Sequence, residues 1–153
     1  MESQVVVFNL ADEHYGVEIA SVDGIIKMQA ITVVPRAPHF VEGVTNLRGE
    51  VLPVMDLRTR FGMARVESHT NDTRIVVVEL SGQKVGMVVD AVTQVLRIPV
   101  EAIEPPSPIV TTLDSAFIRG IAKVDERLVI LLDLTRVLTT EETAALEAVP
   151  ALS

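Results

Sequence analysis

The sequence predicts an all-β protein with short helices, in which two small barrels pack together around a shared core. The first reason is an internal repeat. Residues 40–44 and Asp56-Leu57 recur as residues 117–121 and Asp133-Leu134, both 77 positions further on. Upstream, residues 6–10 match residues 76–80 at an offset of 70. A self-match of this length indicates two copies of one supersecondary unit.

Composition is the second reason. Hydrophobic residues make up 48% of the 153, and they are mainly Val, Ile and Leu, with no Trp, one Tyr and four Phe. This β-branched bias favours strands, and the length suits one domain or two very small ones sharing a core. Short strands joined by tight turns bury their apolar faces most easily by closing into small barrels.

The first copy is predicted to contain five extended segments, at residues 4–10, 15–19, 31–34, 43–48 and 51–55. Residues 19–26 are expected to open with a helical turn, because their apolar side chains are spaced as in a helix. Gly49-Glu50 is the predicted turn of a hairpin, and Pro53 in its return strand suggests a sheet edge or a bulge. Asp56 is the predicted cap of a short helix that stops at Gly62.

The second copy is predicted to repeat this order after a linker at 63–72, with strands at 74–80, 85–89, 96–98, 117–124 and 128–132. Residues 90–95 correspond to the segment around Ser21, and 99–108 form a Pro-rich crossing loop. Asp133 caps another short helix, and Thr139 to Glu142 has the form of a capping box. The predicted bounds are about 5–68 for subdomain one, 69–138 for subdomain two and 140–149 for a C-terminal helix.

Residue types that carry catalysis are scarce in this chain. It contains no cysteine, which excludes disulfides, thiolate nucleophiles and zinc–thiolate sites. His14, His39 and His69 are not spaced as a metal pair, and they are predicted to be solvated loop residues. Asp56 and Asp133 are equivalent, but Leu follows each of them, whereas an aspartic dyad needs a small residue and Gly. The sequence therefore predicts no catalytic, cofactor or metal site.

The net charge of −8 excludes further classes. A sequence-independent nucleic-acid binder needs a basic face, and unaided binding to anionic lipid needs a basic patch. No apolar run approaches the roughly 20 residues of a membrane span, and the N-terminus lacks the features of a signal peptide. These observations predict a cytoplasmic protein without direct membrane insertion.

The two copies differ most at the hairpin that follows Gly43. Arg48 in the first copy corresponds to Asp125 in the second, and Pro53 corresponds to Ile130. An Arg beside a turn between apolar strands must extend its charge into water or pair it. Either it bonds nearby carbonyls or a carboxylate and pins the turn, or it contacts a partner, for which a fixed guanidinium is well suited.

The residues around this hairpin resemble a known family. Gly43-Val44-Thr45-Asn46-Leu47-Arg48-Gly49, followed by Pro53-Val54-Met55-Asp56-Leu57-Arg58, is similar to the signature of CheW, the coupling-protein family of bacterial chemotaxis. Further matches are the Phe8…Tyr15-Gly16 hairpin, Pro38-His39-Phe40 and Gly86…Val89-Asp90. The likeness runs from about Val5 to Leu146.

The resemblance implies a fold and a set of partners. The fold would be a pair of intertwined, five-stranded, SH3-like barrels without catalysis or cofactor. The partners would be the regulatory domain of the histidine kinase CheA and the cytoplasmic tip of methyl-accepting chemotaxis receptors. Contacts between copies of the chain would build rings, and the protein would be recruited to receptor arrays at the membrane.

The resemblance also assigns site residues. The receptor-binding residues would be Val22, Ile25, Gly43, Val44, Leu47 and Arg48, and the kinase-binding residues would be Glu104 and Ile109. Gly24 stands where some members carry Glu, so the acidic part of the receptor contact departs from the pattern. For Val22, Ile25 and Val44, plain core packing is the alternative.

Three functions fit the sequence at this point. The first is a chemotaxis coupling adaptor, and the second is a similar adaptor of a non-flagellar chemosensory array. The third is a small β-barrel enzyme or ligand carrier, which would need a polar pocket with a shifted ionisable group.

Overall fold

A computed structural model of the chain describes residues 1–64, 69–80, 82–105, 117–138 and 140–152. The strands are β1 (Glu2–Leu10), β2 (Glu13–Glu18), β3 (Val22–Lys27), β4 (Val41–Leu47), β5 (Glu50–Asp56), β6 (Arg74–Leu80), β7 (Gln83–Val89), β8 (Ala91–Pro99), β9 (Ile103–Glu104), β10 (Ile118–Val124) and β11 (Arg127–Leu132). The helices are α1 (Leu57–Arg60) and α2 (Thr140–Leu152), with short 3-10 turns at Ile19–Ser21 and Val100–Ala102. The predicted all-β class with few short helices is confirmed.

The strands form two sheets, and each sheet takes strands from both sequence copies. One has the order β8-β1-β2-β11-β10-β9 and the other β3-β6-β7-β5-β4. The first hairpin of each copy therefore lies in the sheet that holds the later strands of the other copy. The copies are joined by two parallel pairings, β2 with β11 and β5 with β7, and by two antiparallel ones, β1 with β8 and β3 with β6. The copies are thus intertwined, while barrel closure and the subdomain bounds 5–68 and 69–138 stay predictions.

The strands bury both faces, because side chains alternate along a strand. In β1, Val6 and Phe8 belong to a central cluster that also contains residues of the five-stranded sheet. Val5 and Val7 belong to a separate cluster within the six-stranded sheet, and Val77 belongs to a third within the five-stranded sheet. The central cluster takes residues from both sheets, which confirms the predicted shared core.

The aromatic residues gather at this central cluster. Phe8, Tyr15, Phe61 and Phe117 follow one another with ring centroids 6.0, 5.9 and 5.8 Å apart. These spacings are favourable for aromatic pairs. Burial, together with the negative charge of Glu13, raises the pKa of Tyr15, so this phenol stays neutral in the folded protein.

Arg60 ties both copies to the C-terminal helix. Its guanidinium lies 4.8 Å from the ring centroid of Phe117 and 5.9 Å from that of Phe40, two equivalent positions of the repeat. Its Nε donates to the carbonyl of Val137 at 2.9 Å, and its Nη2 donates to Glu142 Oε1 at 3.0 Å. The helix α2 then buries two aliphatic side chains in the central cluster, so α2 belongs to the shared core.

The tip of the β4–β5 hairpin differs from the prediction. The turn consists of Arg48-Gly49, with φ of 53° and 84°, whereas Glu50 already belongs to β5. Two-residue hairpin turns with positive φ at both positions match the twist of the flanking strands. The equivalent turn of the second copy, Asp125-Glu126, has φ of 48° and 68°. Both turns therefore have the backbone conformation that the twist of their flanking strands favours.

Other predicted elements also differ from the structure. The helical turn predicted to open residues 19–26 is present as the 3-10 turn Ile19–Ser21. The strand at 22–27, which pairs with β6, was not predicted, and the strand at 91–99, which pairs with β1, is longer than the extended segment predicted at 96–98. Asp133 Oδ1 accepts a bond from the backbone N–H of Thr135 at 3.0 Å, but a turn follows it, not a helix. The predicted loop at 99–108 contains a 3-10 turn and β9, and α2 ends at Leu152. Thr139 and residues 106–108 lie outside the described residues.

Candidate partner-binding surface

Part of the motif around the β4–β5 hairpin is structural. Asp56 Oδ1 accepts bonds from the backbone N–H groups of Arg58 at 2.9 Å and Thr59 at 3.5 Å, which is the predicted helix cap. The Arg58 guanidinium forms a two-point pair with Asp90, at 2.8 and 2.5 Å. Asp90 also accepts a bond from the backbone of Ala11 at 2.8 Å. These bonds join the two copies and leave neither Asp56 nor Arg58 available as a simple contact residue.

Opposing effects act on the pKa of Asp90. Burial raises it, but the hydrogen bond and charge of Arg58 and the backbone bond from Ala11 lower it overall. Asp90 is therefore ionised in the folded protein at neutral pH, and the pair is a charge-assisted link.

A groove of about 590 Å³ lies beside the tip of the β4–β5 hairpin, and we call it the hairpin groove. It is lined by Asp23, Leu47, Arg48, Glu50, Val51, Leu52, Pro53, Gly82, Gln83 and Lys84. Asp23 belongs to β3 and Leu47 to β4, which are the two edge strands of the five-stranded sheet. The sheet therefore curls enough for both edges to line one groove. Lys84 Nζ lies 3.4 Å from Asp23 Oδ2.

Arg48 is exposed at the rim of the hairpin groove, in left-handed backbone conformation. This conformation costs a non-Gly residue about 1–2 kcal/mol. The turn is held by the backbone N–H of Gly49, which donates to Asn46 Oδ1 at 2.9 Å. Among the described residues, no carbonyl or carboxylate is hydrogen-bonded to the guanidinium of Arg48. The interpretation that Arg48 merely pins the turn is thus not supported by its contacts.

Gly43 and Val44 lie behind this tip and have packing roles. Val44 is 6% exposed, and its backbone exchanges bonds of 2.9 and 2.8 Å with Thr32. Gly43 has φ of 149°, and a Cβ there would lie 2.2 Å from the carbonyl oxygen of Thr32. Only glycine allows this approach of the two backbones. A second groove of about 460 Å³ beside them is lined by Gln29, Ala30, Thr32, Val44, Thr45, Asn46 and Val51.

Val22 and Ile25 lie on the same face of β3, because a bulge at Asp23 shifts the register. Val22 is opposite Val78, and Ile25 is opposite Val76, both members of the central cluster. Val22 is partly buried against that cluster, whereas Ile25 is 40% exposed. Of these two predicted receptor-binding residues, Ile25 is the one that offers a surface.

Glu104 lies on the other sheet. It is exposed in β9, the edge strand of the six-stranded sheet, and it pairs with Ile121. Its carbonyl oxygen would be 3.0 Å from a Cβ at Gly120, as Thr32 is close to Gly43. Ile109, the other predicted kinase-binding residue, lies outside the described residues. The predicted receptor and kinase residues that the structure describes therefore occupy different sheets.

Reasoning from the sequence missed Gln83 and Lys84 in the hairpin groove, because they lie more than 30 residues from the hairpin. The repeat held a usable signal. Their equivalents, Glu13 and His14, line a corresponding groove beside the second hairpin, together with Asp12, Arg127, Leu128 and Ile130. Each hairpin tip thus meets the first hairpin of the other copy.

Among the described residues, no cluster of metal ligands and no ionisable group with a clearly shifted pKa lies in the grooves of this surface. The described residues include no group of three or more His, Cys, Asp or Glu side chains that could hold a metal ion. The groups with clearly shifted pKa values are Tyr15, Arg58 and Asp90, and none of them lines either groove on the five-stranded sheet. In the part of the chain that the structure describes, no helix is long and apolar enough to cross a membrane.

Comparison with known proteins gives consistent matches over almost the whole chain. A family model described as the CheW-like domain matches residues 4–142. The chain is 35% identical to the chemotaxis protein CheW of Klebsiella aerogenes over 146 residues, which is 95% of this chain and 87% of that protein. It is 36% identical to the chemotaxis protein CheW of Helicobacter pylori over 135 residues, 88% of this chain and 81% of the relative.

A solved structure shows the same fold. The crystal structure of the scaffolding protein TtCheW from Thermoanaerobacter tengcongensis superimposes with a TM-score of 0.84. The two chains are 44% identical, and the match covers 93% of this chain and 91% of the other.

Proposed function

The chain belongs to the CheW family, and from this premise we propose that it is a non-catalytic adaptor that couples chemoreceptors to the histidine kinase CheA in bacterial chemotaxis. The family match spans residues 4–142, and a relative of similar fold is a scaffolding protein. In this proposal the partners are the receptor's cytoplasmic tip and the kinase's regulatory domain. The adaptor works in the cytoplasm at membrane receptor arrays, and contacts between copies extend the rings.

The observation that carries the proposal is the state of Arg48. A charged side chain sits in a strained backbone conformation at an exposed hairpin tip, without a hydrogen-bond acceptor among the described residues. The same backbone conformation recurs at Asp125-Glu126, because the two-residue hairpin turn requires it, so the guanidinium is what distinguishes this tip. A guanidinium held this way is well placed to recognise a carboxylate or a carbonyl of a partner.

We propose a division of roles among the receptor-binding residues. Ile25, Leu47 and Arg48 make the contact, because Ile25 and Arg48 are exposed and Leu47 lines the hairpin groove. Val22, Gly43 and Val44 shape the surface from beneath. The kinase contact is proposed for Glu104 and Ile109, so that the two partners bind different parts of the adaptor.

The test replaces Arg48 by glycine. Arg48→Gly removes the guanidinium and also relieves the left-handed strain, so the unfolding free energy should stay within about 1 kcal/mol of the wild type. Receptor-dependent activation of CheA phosphorylation should fall at least about tenfold, since a charge-assisted contact is lost. The readout is kinase phosphorylation across a saturating titration of adaptor, with receptor and kinase held constant.

Glu126→Gly is the matched control, because it places glycine at a left-handed position of the equivalent turn. This variant should activate the kinase normally. Full activation by Arg48→Gly would remove Arg48 from the contact, and an unchanged kinase output with the wild-type adaptor would contradict the adaptor function itself. Capture of partners from the native lysate then distinguishes a chemotaxis array from a non-flagellar chemosensory array.

A further inference from the structure

Two cations face each other at the open edge of the five-stranded sheet. Lys27 in the edge strand β3 is the cross-strand partner of Arg74 in β6. Like charges in directly opposite positions destabilise a sheet. Lys27 is exposed and forms no ion pair among the described residues, and Arg74 donates only to the carbonyls of Asn71 at 2.7 Å and Thr73 at 2.9 Å. No carboxylate among the described residues pairs with either positive charge.

This pair of cations is not a general property of the fold. The chain has a net charge of −8, so acidic residues outnumber basic ones. The equivalent pair at the edge of the six-stranded sheet is Arg97 of β8 opposite Gln4 of β1, which carries a single charge. Of these two equivalent positions, the one formed by β3 and β6 carries two charges.

The exposed apolar residue Ile25 lies near these cations, on the same strand as Lys27. Ile25 and Lys27 are two residues apart in β3, beyond the bulge, and therefore lie on one face. Two residues of a strand span about 7 Å, and one turn of an α-helix, from residue i to residue i+4, spans about 6 Å. A helix running along β3 can therefore place an apolar side chain on Ile25 and a carboxylate beside Lys27 and Arg74.

We propose that Ile25, Lys27 and Arg74 form a cationic edge that selects a receptor helix carrying an acidic residue about one turn away from an apolar residue. The partner class rests on the proposed function, and the charge requirement rests on the geometry of this edge. The carboxylate neutralises the Lys27–Arg74 repulsion, so binding removes a cost that the free adaptor carries. Lys27 is then a specificity-determining residue of the receptor contact.

The test measures binding of the adaptor to the isolated helical-hairpin tip of a chemoreceptor encoded in the same genome. Lys27→Glu should weaken binding about three- to tenfold and reduce its dependence on salt. The variant should melt no lower than the wild type, because it removes the like-charge pair. Arg97→Glu makes the same charge change on the equivalent edge β8 and should leave the affinity unchanged.

A charge exchange completes the design. In a variant receptor tip, the Glu or Asp that faces Lys27 is replaced by Lys. This tip should bind the wild-type adaptor more weakly than the unchanged tip does. It should bind the Lys27→Glu adaptor as tightly as the unchanged tip binds the wild-type adaptor. Equal binding by the wild type and Lys27→Glu, or a loss with Arg97→Glu instead, overturns the cationic edge while the adaptor function stands. No binding of the wild-type adaptor to the tip overturns both.

Discussion

Gly43→Ala offers a sharp test of the packing described here. The new Cβ would lie 2.2 Å from the carbonyl oxygen and 2.9 Å from the carbonyl carbon of Thr32, and 2.8 Å from Ile31 Cγ2. Real Cβ atoms do not approach so closely, so the backbone at Thr32 must move away from β4. That movement breaks the two backbone bonds between Thr32 and Val44. The segment before the Pro35 loop would then lose its attachment to the sheet.

The expected cost follows from these contacts. Overpacking costs about 1–3 kcal/mol, two lost hydrogen bonds about 1 kcal/mol each, and a left-handed φ on a non-Gly residue about 1–2 kcal/mol. The total loss of about 4–7 kcal/mol is a large part of the ~5–15 kcal/mol that holds a domain folded. For a chain of this size it lowers Tm by roughly 10–25 °C.

Gly24→Ala is the matched control for Gly43→Ala. Gly24 lies in β3 of the same sheet, it has no atom within 4 Å of a built Cβ, and its φ is not left-handed. This change should be neutral or stabilise the protein by up to about 1 kcal/mol, through the unfolded chain. Urea unfolding of both variants measures the difference. A Gly43→Ala variant as stable as Gly24→Ala would refute the argument from close approach, and Gly43 would then have to be considered as a contact residue.

Three further predictions concern how the copies are held together. Asp90→Asn should lower the unfolding free energy at neutral pH, and this difference from the wild type should vanish as the pH falls below about 4. The reason is that the pKa of Asp90 is lowered in the folded protein, so its stabilisation is present above the unfolded pKa and absent below the folded one. Urea unfolding across pH measures the difference, and a difference that does not change with pH would contradict the prediction. Arg60→Ala should lower the unfolding free energy by about 2–3 kcal/mol, because its hydrogen bonds and cation–π contacts are lost. Hydrogen exchange should then show that α2 opens first. Arg136→Ala is the control, because it removes only an exposed ion pair, and it should change stability little. Calorimetry should show one cooperative unfolding transition for the whole chain. A fragment of residues 1–68 should not fold, because in it β3 and β5 lack their partner strands β6 and β7. A folded fragment, or two transitions of the whole chain, would argue that the two halves are independent.

Much of the fold could be predicted because its signals are local. Strands alternate or are continuously apolar, and the short helix after β5 carries its own start and stop, with Asp56 as cap and Gly62 in left-handed conformation. The helical turn at Ile19–Ser21 was also predicted from local spacing. The strand at residues 22–27 was not, because it depends on pairing with β6, which is distant in sequence.

The exchange of hairpins between copies could not be derived from the residues alone. In a repeated sequence, each strand has two nearly identical candidate partners, one in its own copy and one in the other. The alternation of β2 fits β5 as well as β11, because β5 and β11 are themselves equivalent. Nothing in composition or periodicity distinguishes these pairings, and only the resemblance to intertwined barrels indicated the exchange.

The candidate site likewise contains residues that could be identified from the sequence and residues that could not. Arg48 could be singled out because a charge between apolar strands conflicts with its local surroundings. Gly43 was predicted as a contact residue, and its packing role was not foreseen, because the close approach of Thr32 is visible only in the structure. Lys27 and Arg74 carried no signal in the sequence, since two basic residues 47 positions apart become a pair only through the register of β3 and β6.

The exchange of hairpins also bears on how the chain is made. The strands leave the ribosome in order, and the five-stranded sheet has all its members once β7 has emerged. In the hairpin β1–β2, which emerges first, β1 can pair with β8 once that strand has emerged, but β2 must wait for β11, roughly 110 residues later. At ~5–20 residues per second this interval is roughly 5–20 s. Until it ends, the nascent chain holds an apolar hairpin without its complete sheet, and this hairpin is the segment that a ribosome-bound chaperone would be expected to protect.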